Sequence, residues 1–233
     1  MRPSIIFDFD GTLAVGSGPV RAYAQLVALT ARAGYLQRVE AALRAFEDGD
    51  TTYRDGYDVV GSLAADDGVD GAAMSAAYHG SRDLLGSPLA PVSAMPDLPG
   101  FLERLSGHAR LVLATNAPEA GVERVLQAWG VRDRFDAVHA TVGKPAGLAA
   151  VIRALLEDGP VLAVGDIFDF DLAPAQALGA DTALVGATAA TSRASVTMRG
   201  ADLGHIRGDI ETWAATAASR NPAPEGADPL IER

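Results

Sequence analysis

Short apolar runs alternate with amphipathic stretches along most of this 233-residue chain. The first run, Ser4 to Asp8, predicts a strand. From about Val15 to Met95 the spacing becomes helical, with no convincing strand. Val20, Tyr23, Ala24, Val27 and Ala28 predict a first helix ending near Gly34, and Leu36, Val39, Leu43 and Phe46 a second, stopped near Gly49. Tyr57, Val60 and Leu63 predict a third helix, and Met74, Ala77, Tyr78 and Leu85 a fourth. Pro88, Pro91 and Pro96 read as a linker. Strand and helix alternate afterwards. Helix is expected over Leu98–Ser106, strand over Ala109–Thr115, and then a helix capped by Asn116, with Pro118 in its first turn, running to Trp129. A strand over Phe135–Ala140, a helix over Pro145–Glu157 and a buried strand over Val161–Gly165 follow. The rest reads as a short helix over Leu172–Leu178, strands over Thr182–Val185 and Leu203–Ile206, and a helix over Asp209–Ala218. The tail from Asn221 carries Pro222, Pro224 and Pro229 and is expected to be disordered.

Strands that alternate with helices predict an α/β fold, a parallel sheet covered by helices on both faces. Ligands of such sheets collect at the carboxyl ends of the strands. The polar signals of this chain fall there. Asp8 and Asp10 follow the first strand, Thr115 and Asn116 the second, Lys144 the loop after the third, and Asp166 the fourth. Residues more than a hundred positions apart would share one rim.

The stretch FDFDGTLA, Phe7 to Ala14, carries the most chemistry. Alternate residues of a strand point the same way, so Asp8 and Asp10 can converge. Such a pair has two readings. It is either a solvated strand end, or two crowded carboxylates whose repulsion a cation or proton relieves. The second reading points to a Mg²⁺-assisted site in which one Asp attacks and the other moves protons. The sharp Gly11-Thr12 turn after an apolar run favours a site.

Composition narrows the choice. No apolar run approaches the roughly 18 residues needed to cross a bilayer, and the first strand begins almost at Met1, so a soluble, cytoplasmic protein is expected. With no cysteine, thiolate catalysis and Cys-ligated zinc are excluded. A formal charge of −11 argues against a nucleic acid or an anionic membrane as the main partner. Of 19 basic residues only Lys144 is a lysine. That is either codon bias with one survivor or a position that needs a compact ammonium.

Taken in order, FDFDGTLA, LVLATN, GKP and GDIFDFD resemble the four motifs of the haloacid dehalogenase superfamily, in its phosphatase branch. The resemblance covers roughly residues 4–14 and 97–206. It implies a Rossmann-like catalytic core over residues 1–15 and 96–220, with residues 16–95 as an inserted, all-helical cap. It also implies roles. Asp8 would attack phosphorus to form an aspartyl-phosphate. Asp10 would protonate the leaving oxygen and later take a proton from water. Thr115 would donate to the phosphoryl oxygens, helped by N–H groups near Asn116, and Lys144 would balance the charge of Asp8 and the phosphoryl group. Mg²⁺ would sit between the Asp8 carboxylate, the backbone carbonyl of Asp10, and Asp166. The family places a further acid shortly after its last GD. Counting back from Gly179 favours Asp171 over Asp169, as a direct ligand or one that orients the ion's waters.

The expected activity is hydrolysis of a small phosphate monoester, a phosphorylated metabolite. A phosphotransferase or sugar-phosphate mutase is the nearest alternative, and a phospho-acceptor or binding protein on the same fold the non-enzymatic one. Monomer and homodimer stay open. Phosphonate cleavage needs a cap lysine, and this cap has none. Dehalogenation is disfavoured because those relatives lack the acid at the position of Asp10.

Other signals fail. Gly16-Ser17-Gly18 lacks the later residues of a P-loop and reads as a hinge. Asp48-Gly49-Asp50 opens like a calcium loop, but Tyr53 and Val59 stand where a glycine and a glutamate are needed. His79, His108, His139 and His205 show no ligand spacing. Arg21, Tyr23, Tyr53, Arg54, Tyr57 and Arg82 could meet substrate from the cap, and nothing in the sequence ranks them.

Overall fold

The computed structural model describes residues 2–217. The expected Pro-rich tail over 221–233 and Ala218, the last residue of the expected final helix, lie outside the described residues. In chain order the elements are β1 (Ser4–Phe7), β2 (Ala14–Val15), α1 (Gly18–Val27), α2 (Tyr35–Glu47), α3 (Gly56–Asp66), α4 (Gly71–Asp83) and β3 (Ser93–Ala94). They continue with α5 (Leu98–Ser106), β4 (Arg110–Ala114), α6 (Glu119–Ala128), β5 (Ala137–His139), α7 (Ala146–Leu156) and β6 (Val161–Gly165). The last are α8 (Ala173–Ala177), β7 (Asp181–Leu184), β8 (Met198–Arg199) and α9 (Arg207–Thr216). Six strands form one parallel sheet in the order β5-β4-β1-β6-β7-β8. The fold is the Rossmann-like α/β class expected from the alternation.

Strand periodicity sorts the core into two layers. Ile5, Phe7, Leu111, Leu113, Leu162 and Val164 face one side and pack with Phe101, Val122, Leu126 and Trp213 of α5, α6 and α9. Ile6, Val112, Ala114 and Ala163 face the other and meet Leu148 and Ile152 of α7 and Ala175 of α8. Because strands buried on both faces need apolar residues on both sides, β1 and β4 read as hydrophobic runs after their leading Ser4 and Arg110, and β6 does so throughout. Phe9 and Leu13 stay fully buried past the end of β1, so the chain enters its turn with Asp8 and Asp10 already aimed at the rim. The indole N–H of buried Trp213 donates to Asp181 at 2.7 Å, which satisfies its one polar atom.

Helices α1 to α4 pack around an apolar cluster of their own, centred on Tyr23, Val27, Tyr35, Val39, Val59 and Val60. Asp55 and Asp70 cap α3 and α4 by accepting from the N–H groups of Asp58 and Ala73. The insert leaves and rejoins the sheet through a short antiparallel ladder, β2 with β3.

Several expectations need correction. The stretch expected to lack strands holds β3, and the proline-bearing linker is partly ladder rather than coil. The first insert helix stops at Val27, short of Gly34. Asn116 does not cap α6: the chain bends at Asn116 and Ala117, Pro118 is extended, and the helix opens at Glu119. The expected strand over Leu203–Ile206 is a turn, and the edge strand is β8. Leu203 and Ile206 are both buried, and their spacing of three suits a turn that drops both side chains onto one surface, whereas strands alternate.

Candidate active site

The register of the sheet assembles the site. Phe7 pairs with Leu113 on one side and Val164 on the other. Asp8, one residue past its pair, and Thr115 and Asp166, two past theirs, therefore emerge together at the carboxyl edge. Gly11 closes the turn after β1 with φ +82°, and a Cβ there would lie 2.2 Å from Asp166 Oδ2. Only glycine both adopts that backbone and lets the turn press against the acid.

Lys144 arrives from the loop between β5 and α7. That loop is pinned to the end of β4, where Thr141 N–H donates to the Ala117 carbonyl and Val142 N–H to that of Thr115. The Asn116 side-chain oxygen accepts from Lys144 N–H at 2.8 Å, so Asn116 orients the lysine loop. The Lys144 ammonium then donates to Asp8 Oδ1 at 2.5 Å and to Asp171 Oδ1 at 2.7 Å, with its side chain only 4 % exposed. The two acids hold its pKa above the usual lysine range against the opposing effect of burial.

Asp171 reaches the site through a π-helical turn, Phe168–Leu172. Its N–H donates to the Ile167 carbonyl, and its Oδ2 accepts from Ile167 N–H at 3.0 Å. The side chain thus folds back under β6, where a Cβ on Gly165 would strike it. Asp169 is exposed on the outer side of the turn. Between the two acids open after GD, the structure brings Asp171 to the rim. Thr115 is buried, and its hydroxyl oxygen accepts from Ala117 N–H at 3.0 Å, which leaves its proton free to donate elsewhere.

Asp8, Asp166 and Asp171 place carboxylate oxygens within 4.8 Å of one another. Like charges that close repel by about 4 kcal/mol per pair at an effective dielectric of about 20. Burial and the neighbouring acids push Asp171 up to about 7 and raise Asp166 well above the carboxylate range. Asp166 Oδ1 is buried without a hydrogen-bond partner. An all-oxygen donor set with an orphaned oxygen fits a hard divalent cation such as Mg²⁺. The side chain of Asp10 is not part of this trio.

The Asp10 carboxylate is instead held by an arginine that the sequence left unranked. Arg82, in the last turn of α4, donates to Asp10 Oδ1 at 3.0 Å and to Oδ2 at 2.8 Å. Tyr57 accepts from the same guanidinium. Desolvation raises the Asp10 carboxyl above its ordinary value, and Arg82 opposes that rise. The remaining insert residues do other work: Arg21 pairs with Glu40, Arg54 pairs with Asp55 and lies over Phe170, and Tyr23 packs against Tyr57 and Tyr78. Arg82 carried one legible signal. It sits four residues after Tyr78 and three before Leu85, on the stripe otherwise filled by Met74 and Ala77.

The family model of haloacid dehalogenase-like hydrolases matches residues 4–179. The chain belongs to that family and is a hydrolase. Among solved structures, it is similar to the HAD-hydrolase YfnB from Bacillus subtilis, a structure bound to magnesium (17 % identity, 90 % of this chain and 98 % of that one, TM-score 0.61). It is also similar to a HAD phosphatase from Thermococcus onnurineus (18 %, 90 % and 98 %, TM-score 0.51). A third likeness is to a 2-haloacid dehalogenase from Pseudomonas syringae pv. Tomato (17 %, 91 % and 100 %, TM-score 0.53). At these identities the likeness shows the fold alone. No curated protein sequence matches the chain significantly. Among the described residues no helix is long and apolar enough to cross a membrane.

Acids crowded in this way would give a bound cation a pH-dependent effect on stability. Asp171 and Asp166 are raised in the folded state, so the metal-free protein keeps protons that the unfolded chain sheds near pH 4. The contribution of these two acids to stability therefore falls as pH rises from about 4 toward 7. A cation that displaces those protons stabilises more as they leave. Millimolar Mg²⁺ should raise the thermal midpoint several degrees more at pH 8 than at pH 5.5, and Asp166→Asn should remove the difference. An equal rise at both pH values, or none, would contradict the cluster's assignment as a cation site.

Proposed function

We propose that the chain is a Mg²⁺-dependent phosphatase that hydrolyses a small phosphate monoester through an aspartyl-phosphate on Asp8. The observation that carries this reading is the Lys144 ammonium bridging Asp8 and Asp171 beside Asp166. A phosphate dianion cannot approach an anionic carboxylate unless local positive charge offsets the repulsion. Asp8, Asp166 and the Asp10 backbone carbonyl would hold the cation, which supplies charge neutralisation for nucleophile and phosphoryl group. The side chains do the rest. An Asp8 oxygen attacks phosphorus in line. Lys144 keeps that carboxylate oriented and offsets charge, and the Thr115 hydroxyl donates to an equatorial oxygen. Asp10 gives its proton to the departing ester oxygen as the P–O bond breaks, then takes one from the water that attacks the aspartyl-phosphate.

Asp10 also separates the reading from carbon–halogen cleavage. An alkoxide is a poor leaving group and needs a proton as it departs, whereas a halide does not. A cation cluster adds little to displacement of halide but much to transfer of a doubly charged phosphoryl group. We assign the same four side chains to a mutase only as a second outcome, in which an alcohol takes the place of water.

The cleft beside Asp10 and Asp166 has a volume of about 240 Å³. Pro19, Val20, Leu43 and Phe46 supply apolar walls, Glu47 and Asp55 acids, and no arginine or lysine among the described residues lines it. Such a cleft suits a small leaving group without an anionic substituent.

Asp8→Asn should abolish release of phenolate from an aryl phosphate, by at least about a thousandfold, while circular dichroism is unchanged. Unaltered turnover would exclude Asp8 as nucleophile. On a panel of phosphorylated metabolites, kcat/KM should favour neutral or cationic alkyl and polyol phosphates over carboxylated ones. A preference for carboxylated esters would contradict the reading of the cleft.

A further inference from the structure

Arg82 spends its burial in an unusual way. Its side chain is 1 % exposed, although a guanidinium is costly to take out of water. It enters from the helical insert, 72 residues beyond its partner in sequence, and both terminal nitrogens lock onto the two oxygens of Asp10. Tyr57 takes a further proton of the same guanidinium, and its ring lies 5.9 Å away. Tyr57 is in turn braced edge-on by Tyr78, and both touch Tyr23. Nε of Arg82 is buried with no partner, so the side chain gives up one hydrogen bond to keep this orientation. A planar fork on a planar carboxylate fixes rotamer and plane together, which a lysine would not do. Asp10 lies past the end of β1, in the turn closed by Gly11, and its side chain is 31 % exposed. Arg82 is its only side-chain hydrogen-bond partner among the described residues.

We propose that Arg82 is the positioning residue for Asp10: it presents the acid to the leaving oxygen and makes proton transfer depend on the seating of the helical insert. The assignment rests on the phosphatase reading above. When the P–O bond breaks, the Asp10 proton passes to the ester oxygen, and the carboxylate left behind keeps both guanidinium bonds. In the second half, a water proton passes to Asp10 as that water's oxygen attacks phosphorus and the Asp8 oxygen departs. Arg82 acts through Asp10: it bonds the carboxyl oxygens and does not line the cleft. Its effect is confined to steps in which Asp10 moves a proton.

That confinement gives the test. First-turnover rates of Mg²⁺-loaded enzyme are measured by rapid quench with an alkyl phosphate and with 2,4-dinitrophenyl phosphate, whose phenolate departs without protonation. Arg82→Met should slow the alkyl ester by about a hundredfold, the range general-acid catalysis supplies, and the dinitrophenyl ester by no more than a few-fold. KM should move little for either. Arg82→Lys, which keeps one charged donor, should recover part of the alkyl rate. In an Asp10→Asn background, Arg82→Met should add no further loss on the alkyl ester, as expected for two residues that act as one unit. Equal losses on both esters would overturn the proposal and make Arg82 a packing residue of the insert. No loss on the alkyl ester would overturn it as well. Absence of wild-type turnover on every phosphate ester would overturn the phosphatase reading, and this assignment with it.

Discussion

Three carboxylates cannot crowd the end of a buried sheet unless something offsets their charge. In this protein the offset begins with Lys144, whose ammonium lies between Asp8 and Asp171. Counting Asp10 and its partner Arg82, four acids face two bases, so that with every carboxyl ionised two negative charges would be in excess. A divalent cation matches that remainder in charge and in ligand chemistry. The orphaned oxygen of Asp166 is where the shortage of positive charge shows most directly. The rest of the site follows from this constraint: a loop pinned by Asn116 to deliver the lysine, a π-helical turn to return Asp171, and glycines at 11 and 165 where backbone and carboxylate nearly touch.

The sheet converts distant sequence into one edge. Parallel pairing of β1 with β4 and β6 puts Asp8, Thr115 and Asp166 at neighbouring strand ends, and helices on both faces leave that edge as the open one. The insert contributes differently. Its four helices have their own apolar cluster, and through Arg82 they reach across to the acid that follows β1. Core and insert thus hold the two acids of the first motif separately: the core grips Asp8, and the insert grips Asp10.

Much of this was legible in the sequence because the signals were local. Apolar runs gave the buried strands, and acids or hydroxyls directly after them marked the rim. Lys144 stood out as the only lysine. What was not legible depended on the third dimension. Asn116 looked like a helix cap, yet its side chain serves the lysine loop, a contact between residues 28 positions apart. Counting back from Gly179 favoured Asp171 over Asp169, but the π-helical turn that folds its carboxylate back onto Ile167 N–H had no sign in the sequence. Arg82 was masked among five other polar residues of the insert. An arginine on an apolar helical stripe was the available sign, but its partner could not be named before the helix was docked.

The central claim is that Asp8 carries the phosphoryl group. Asp10→Asn enzyme, loaded with Mg²⁺ and mixed with an aryl phosphate, should phosphorylate but hydrolyse the product slowly, because the residue that activates water is gone. Acid quench and peptide mapping by mass spectrometry should then find a phosphoryl adduct on Asp8 in near-stoichiometric amount. Phenolate release with no adduct, or with an adduct on another residue, would contradict the account.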